Sequence, residues 1–131
     1  MDIKERYKRA KLIKSRIERL EKELDNFEYI SGIDTTRQNS NTSDLIDMVI
    51  RTEYIKHQIE EGKAKLNYYI AELLEELDKL DDTEEYDIMF KKYILFKNWY
   101  EIERECHYTR ILIIELHNRA LRKLNNKEIT L

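Results

Sequence analysis

The sequence predicts an all-α protein, built as a long antiparallel helical hairpin followed by a smaller domain of three helices. Two observations carry this prediction. The 131 residues include no proline and only two glycines, with 39% charged and 41% hydrophobic residues. This balance favours long, charge-laced helices over sheets with tight turns. Apolar residues also recur at spacings of three and four along two long segments, which is the period of one helix face.

The first segment carries one continuous apolar stripe, and its other faces are mostly Lys, Arg and Glu. The stripe consists of Ile3, Tyr7, Ala10, Ile13, Ile17, Leu20, Leu24 and Phe27. Such heptad-like spacing is typical of a coiled-coil helix. The stripe ends before residues 31–43, where Gly32 and a cluster of Ser, Thr and Asn predict a loop.

The second segment begins after that loop, with Ser43 or Asp44 as the expected N-cap. Its stripe consists of Leu45, Val49, Thr52, Ile55, Ile59, Gly62, Leu66, Tyr69, Leu73, Leu77 and Leu80. Because the two stripes can bury each other, we expect residues 1–80 to form an antiparallel coiled-coil hairpin. The second helix is longer by about ten residues, and its uncovered stripe favours a homodimer or a higher homo-oligomer. Gly62 indicates either a close helix contact or a bend.

A second domain is expected over residues 81–131. Thr83, with two glutamates behind it, resembles an N-cap followed by an acidic first turn, so a third helix should run from about Glu84 to Leu95.

The spacing of Asn98 and Glu101 resembles a capping box and places the start of a fourth helix at Trp99. This helix should end near Cys106, and Thr109 should cap the last helix. The expected core of the three helices consists of Ile88, Met89, Phe90, Tyr93, Trp99, Ile102, Cys106, Tyr108, Ile113, Leu116, Ala120 and Leu124.

The last helix should present a mixed face opposite its core stripe. Arg110 and Asn118 suit hydrogen bonds to base edges. The residues that suit phosphates are Thr109, Arg119, Arg122 and Lys123. Ile111 and Ile114 share this face with Glu115, and they would meet either thymine methyl groups or a protein partner.

The stretches "WYEIERECHYTR" and "ELHNRALRKL" resemble the helix-turn-helix of the fourth region of bacterial sigma factors, over residues 86–124. With "IMFKKYILFKNW" before them and a coiled coil upstream, nearly the whole chain is similar to the ArpU/RinA-type phage transcriptional regulators. This resemblance implies promoter-proximal DNA binding in a phage or prophage, activation of late or packaging genes, and contact with RNA polymerase.

The same resemblance assigns base reading to Arg110, Ile111, Ile114 and Glu115, and backbone contacts to Thr109 and the basic end of the helix. The chain departs from the usual pattern at three of its positions. Polar residues are usual at the positions of Ile111 and Ile114, and a small residue is usual at that of Glu103.

The charge is distributed unevenly, although the formal net charge is only −3. Residues 1–16 carry seven basic and two acidic side chains, residues 72–88 carry nine acidic and one basic, and residues 107–127 carry five basic and one acidic. Two interpretations are open for the basic N-terminal helix, namely contact with phosphates or the ordinary solvated face of a coiled coil.

Several classes of function are not indicated by the sequence. It contains no Gly-rich phosphate loop, no nucleophile elbow and no Ser/His/Asp grouping, so no catalytic residue and no cofactor are expected. Cys106, His107 and His117 match no zinc-binding spacing, so no metal is expected. The charged N-terminus, the short aliphatic run at 111–114 and the single cysteine predict a cytoplasmic protein of the bacterial host cell that contacts no membrane.

The sequence therefore predicts a sequence-specific, DNA-binding transcriptional regulator. A different class remains open, namely a coiled-coil adaptor whose apolar last helix binds RNA polymerase or another protein without touching DNA. A third interpretation is a small packaging subunit that binds viral DNA, although in such proteins the recognition domain usually precedes the oligomerising coil.

Overall fold

The computed structural model describes residues 2–34 and 42–129. These residues form five α-helices and contain no β-strand, which confirms the all-α class. The helices are α1 (Ile3–Asp34), α2 (Thr42–Leu77), α3 (Thr83–Tyr93), α4 (Trp99–Cys106) and α5 (Arg110–Ile129). Within the described ranges, no helix combines the length and the apolar character needed to cross a membrane.

The contacts divide the chain into two compact units. Residues 12–67 form the two-helix unit, and residues 1–11 together with 68–131 form the five-helix unit. The sequence placed residues 68–80 in the hairpin domain, whereas the contacts group them with α3, α4 and α5. The folding boundary at residue 81 stays a prediction.

In the two-helix unit, α1 and α2 run in opposite directions. The Arg51 guanidinium lies 5.6 Å from the centre of the Phe27 ring, and the Lys63 ammonium lies 3.8 Å from the Glu21 carboxylate. The buried residues Ile17, Ile55 and Ile59 form its core, and the residues packed against them are Ile13, Leu20, Leu24, Phe27 and Leu66.

Gly62 marks a close helix contact, which is one of the two roles that the sequence left open. A Cβ atom at this position would lie 2.9 Å from Cγ1 and 3.3 Å from Cδ1 of Ile17. The absence of a side chain therefore lets α2 approach α1 closely at the middle of the stripe.

The loop predicted over residues 31–43 is too long. α1 continues to Asp34 and α2 begins at Thr42, while residues 35–41 lie outside the described part. A glycine inside a helix costs only about 1 kcal/mol relative to alanine, which explains why Gly32 does not end α1. The expected N-caps Ser43 and Asp44 both lie inside the first turn of α2.

The end of the α2 stripe is not left uncovered, contrary to the sequence-based argument for a dimer. Leu73, Leu77 and Leu80 are buried in the five-helix unit. Four exposed apolar residues lie near the start of α2 instead, namely Ile46, Val49, Ile50 and Tyr54, and Tyr68 is exposed further along the helix. Val49, which was predicted in the stripe, is 62% exposed. The surplus length of α2 therefore gives no support for oligomerisation.

The start of α3 differs slightly from the prediction. Asp82, rather than Thr83, is the N-cap, and its carboxylate accepts a hydrogen bond of 3.0 Å from the Glu85 amide. α3 ends at Tyr93 rather than near Leu95, because the Leu95 amide donates five residues back to the Phe90 carbonyl and not to the Lys91 carbonyl that an α-helix would use.

The start of α4 is as predicted. The Asn98 side chain accepts a hydrogen bond of 2.8 Å from the Glu101 amide, and the helix runs from Trp99 to Cys106.

The core expected for the last three helices is largely present. The buried members are Ile88, Met89, Tyr93, Ile102, Ile113, Leu116, Ala120 and Leu124. Phe90, Trp99, Cys106 and Tyr108 are only partly buried, and the last three of these pack against the cluster of Ile88, Ile102, Ile113 and Leu116. Aromatic and sulfur-containing residues at the rim thus close a small aliphatic core.

Candidate nucleic-acid interface

The connection between α4 and α5 is short and defined by hydrogen bonds. His107 adopts the left-handed conformation, with φ 60° and ψ 31°, and its amide donates to the Glu103 carbonyl at 2.9 Å. The Thr109 hydroxyl then accepts a hydrogen bond of 3.3 Å from the Leu112 amide. Thr109 therefore caps α5, as the sequence predicted, and its hydroxyl satisfies an amide of the first helical turn.

α5 is oriented by its buried face. Ile113, Leu116, Ala120 and Leu124 are all buried, so the side chains opposite them point to solvent. All nine residues of the predicted DNA-binding set are exposed: Thr109, Arg110, Ile111, Ile114, Glu115, Asn118, Arg119, Arg122 and Lys123. One face of α5 is thus accessible to a partner along its length.

This face carries apolar side chains in a prominent position. Ile111 is 80% exposed and Ile114 is 44% exposed. Both line a shallow, open depression along α5 together with Asn118, Leu121 and Arg122. The two isoleucines therefore lie among the polar groups that suit base edges and phosphates.

Arg110 is held by an ion pair across the turn. Its Nη2 atom lies 2.8 Å from a carboxylate oxygen of Glu103 on α4. The Arg110 side chain is 52% exposed and that of Glu103 is 24% exposed, so the guanidinium still reaches solvent. Where the sigma-like pattern has a small residue, this chain has a carboxylate that neutralises a predicted base-reading residue.

Two further cations of the predicted set face a buried carboxylate. The Lys123 ammonium lies 3.0 and 2.8 Å from the two carboxylate oxygens of Glu85, which is completely buried. Arg119 lies 3.9 Å from the same group, and it also pairs with Glu115 at 3.4 Å. Lys123 and Arg119 therefore compensate the charge of Glu85, a structural role that competes with contact to phosphates.

Arg122 differs from these cations. It is exposed, and it forms no ion pair with any carboxylate in the described ranges. Arg122 is thus the member of the set whose guanidinium is most readily offered to a phosphate or a guanine edge.

Beneath the exposed face, His117 packs into an aromatic cluster. Its Nε2 atom lies 2.7 Å from the Tyr93 hydroxyl, its ring stacks on that of Tyr93, and Trp99 meets it edge-on at 4.9 Å. Burial lowers the pKa of His117 from 6.5 to about 4 and raises that of Tyr93 to about 12. His117 is therefore a neutral core residue at pH 7, placed directly before the exposed Asn118.

The sequence-based prediction missed Glu85 as a residue of this site. Glu85 lies three and four residues before the buried Ile88 and Met89, a spacing that places it on the same face of α3. This helical phase was a usable signal that a carboxylate faces the core, although it does not identify Lys123 as the partner.

Comparisons with protein-family models, with curated proteins and with solved structures found no match to this chain.

Proposed function

We propose that this chain is a sequence-specific, DNA-binding transcriptional regulator of phage or prophage genes, acting as an activator of late or packaging genes. In this proposal α4 and α5 form a sigma-like helix-turn-helix, and α5 lies in the major groove. The protein would act in the cytoplasm of the bacterial host cell, as a homodimer or higher homo-oligomer through a coiled coil formed by α1 and α2, and RNA polymerase would be a further partner.

One observation carries this proposal. Along α5, the side chains of Arg110, Asn118 and Arg122 are exposed to solvent. The opposite face of the helix is buried in the core. An exposed helix of this kind fits a major groove about 12 Å wide. Its arginines and asparagine are side chains that commonly form bidentate hydrogen bonds with guanine and adenine edges.

The capped turn before α5 adds support. A recognition helix must hold its side chains in a fixed register against the base pairs, and its first residues usually make the base contacts. The Thr109 hydroxyl accepts a hydrogen bond from the Leu112 amide and so holds the first turn of α5. The expected base-reading end of α5 is therefore capped, as a recognition helix requires.

The direct test is DNA binding by the full chain. A labelled duplex would be selected from a random-sequence pool with the wild-type protein, and its affinity measured by fluorescence anisotropy at two salt concentrations. Arg110→Ala combined with Arg122→Ala should weaken binding by at least about tenfold, since a lost bidentate base contact costs about 1–3 kcal/mol. The matched control is Arg16→Ala with Arg19→Ala, which removes two exposed arginines of the two-helix unit.

The adaptor hypothesis has its own supporting observation, which is the 80% exposure of Ile111 beside Ile114 and Leu112. Large apolar side chains grouped on a surface commonly mark a protein interface. If the adaptor hypothesis holds, the wild type selects no duplex even at low salt, and Ile111→Asp abolishes co-elution with bacterial RNA polymerase. If the regulator hypothesis holds, the wild type enriches a defined duplex and the double arginine variant loses it.

A further inference from the structure

The start of α1 places a row of lysines in the same unit as α5. Lys4, Lys8 and Lys11 are exposed, and their spacing of four and three residues puts them on one face of the helix. Seven residues of helix span about 10 Å. Residues 1–11 belong to the five-helix unit, so this row and the exposed face of α5 are parts of one compact body.

A fourth lysine, from α3, joins this row. The Lys92 ammonium lies 4.8 Å from the centre of the Trp99 ring and 5.6 Å from that of Tyr7. The Lys11 ammonium lies 5.9 Å from the same Tyr7 ring. Lys11 and Lys92 thus approach one aromatic ring from two helices, and we call Lys4, Lys8, Lys11 and Lys92 the lysine patch.

Within the described residues, the lysine patch lacks acidic partners. None of its four ammonium groups forms an ion pair with a carboxylate in the described part of the chain. The neighbouring arginines of α1 behave differently, because Arg6 pairs with Glu72 at 3.1 Å and Arg9 with Glu5 at 3.5 Å. The Glu5 and Glu72 carboxylates are therefore paired with arginines, and the exposed lysines are accessible to an external anion.

The lysines of the patch repel one another and a nearby histidine. Burial, and then the charge of Lys11, lower the pKa of Lys92. Lys4 and Lys92 both act on His117 in the same direction, lowering its pKa further. The Trp99 ring that Lys92 contacts also meets the His117 ring at 4.9 Å, so the Lys92 end of the lysine patch lies near α5 at His117.

We propose that the lysine patch is a second phosphate-binding surface, which holds the backbone of double-stranded DNA beside the segment that α5 reads. This inference rests on the proposed function and deepens it. The patch would contribute affinity without sequence preference, because contacts to phosphates position the protein whereas base contacts specify the site.

The test measures how the affinity for DNA depends on salt. The variant Lys4→Gln, Lys8→Gln, Lys11→Gln removes three charges and keeps polar residues that form helices well. It leaves Lys92 in its aromatic contacts. Its matched control is Lys22→Gln, Lys63→Gln, Lys65→Gln, which replaces three exposed lysines of the two-helix unit. The probe is the labelled duplex enriched by the wild type, and circular dichroism with a urea titration verifies that each variant is folded.

We expect the patch variant to bind the duplex about tenfold or more weakly at about 0.1 M salt, with the slope of log K against log salt reduced by about 2 to 3. Its preference for the selected duplex over a scrambled one should be unchanged. The control should keep the wild-type slope.

Three outcomes would overturn the inference. An unchanged slope in the patch variant, while the double arginine variant still loses binding, refutes the lysine patch but not the regulator. If the patch variant and the control reduce the slope of log K against log salt by the same amount, the effect comes from overall charge and not from the lysine patch. Loss of binding to phosphatidylserine vesicles without loss of binding to the duplex assigns the patch to a membrane surface. A wild type that selects no duplex refutes the proposed function itself.

Discussion

The ammonium group of Lys123 contacts both carboxylate oxygens of Glu85, at 3.0 and 2.8 Å, across 38 residues of sequence. Glu85 is completely buried, whereas the Lys123 side chain is 44% exposed. A buried carboxylate without a partner is costly, so this contact joins the last helix to the first turn of α3.

We expect Lys123→Ala to lower the free energy of unfolding by about 1–3 kcal/mol, because it removes two charge-assisted hydrogen bonds from a buried carboxylate. Arg119 lies 3.9 Å away and compensates only part of the charge. The matched control is Arg122→Ala, one residue earlier and without an ion pair in the described ranges, which should cost less than about 0.5 kcal/mol. Urea titration measures both, and equal losses would contradict a structural role for Lys123.

Stability should also depend on pH through His117. Burial lowers its pKa to about 4 in the folded protein, and in the unfolded chain it returns to about 6.5. Between these values the unfolded state binds more protons, so the free energy of unfolding rises with pH and falls on acidification. This difference in the pKa of His117 should lower the free energy of unfolding by about 2–3 kcal/mol between pH 7 and pH 4.5.

The measurement compares urea titrations at pH 7 and pH 4.5. His117→Gln retains a hydrogen-bonding partner for Tyr93 and should shrink the difference between the two pH values by about 2–3 kcal/mol. The control is His57→Gln, at an exposed position of α2. If both variants keep the wild-type difference, acid sensitivity arises from carboxylates and not from His117.

The close contact at Gly62 predicts that Gly62→Ala changes the free energy of unfolding in opposite directions in the wild type and in the Ile17→Ala variant. In the wild type, Gly62→Ala should be neutral or destabilising by up to about 2 kcal/mol, because crowding against Ile17 opposes the gain in helix propensity. In the Ile17→Ala background the crowding atoms are absent, so the same substitution should stabilise by about 0.5–1 kcal/mol. Ala64→Gly, at an exposed position of the same helix, calibrates the propensity term. Equal effects in both backgrounds would show that the helices do not meet closely at Gly62.

Features that depend on local sequence were predictable. Asn98 and Glu101 are three residues apart, and their spacing alone gave the start of α4. The spacing of three and four residues likewise gave the buried face of α5, from Ile113 to Leu124. The face of α5 opposite these buried residues was therefore predicted to be exposed, and it holds the nine predicted site residues.

Features that depend on distant partners were not predictable. The end of the α2 stripe, including Leu73 and Leu77, looked uncovered because the sequence does not show that α3, α4 and α5 belong to the same unit. Glu85 resembled an ordinary first-turn acid, since its partner Lys123 lies far along the chain. Pairing of Arg110 with Glu103 also required the geometry of the turn, because seven residues and a left-handed His107 separate them.

The ion pair between Arg110 and Glu103 gives the last prediction, which concerns DNA binding. In the free protein the Arg110 guanidinium forms an ion pair with the Glu103 carboxylate at 2.8 Å, so DNA must compete with Glu103 for Arg110. The negative charge of Glu103 also repels the DNA phosphates. Glu103→Gln removes both effects and should tighten binding to the selected duplex by about two- to fivefold, the range of an exposed ion pair. Glu101→Gln makes the same change of charge on α4 and serves as the control. Equal tightening by both would reduce the effect to overall charge, and weaker binding by Glu103→Gln would mean that Glu103 holds Arg110 in the orientation that DNA requires.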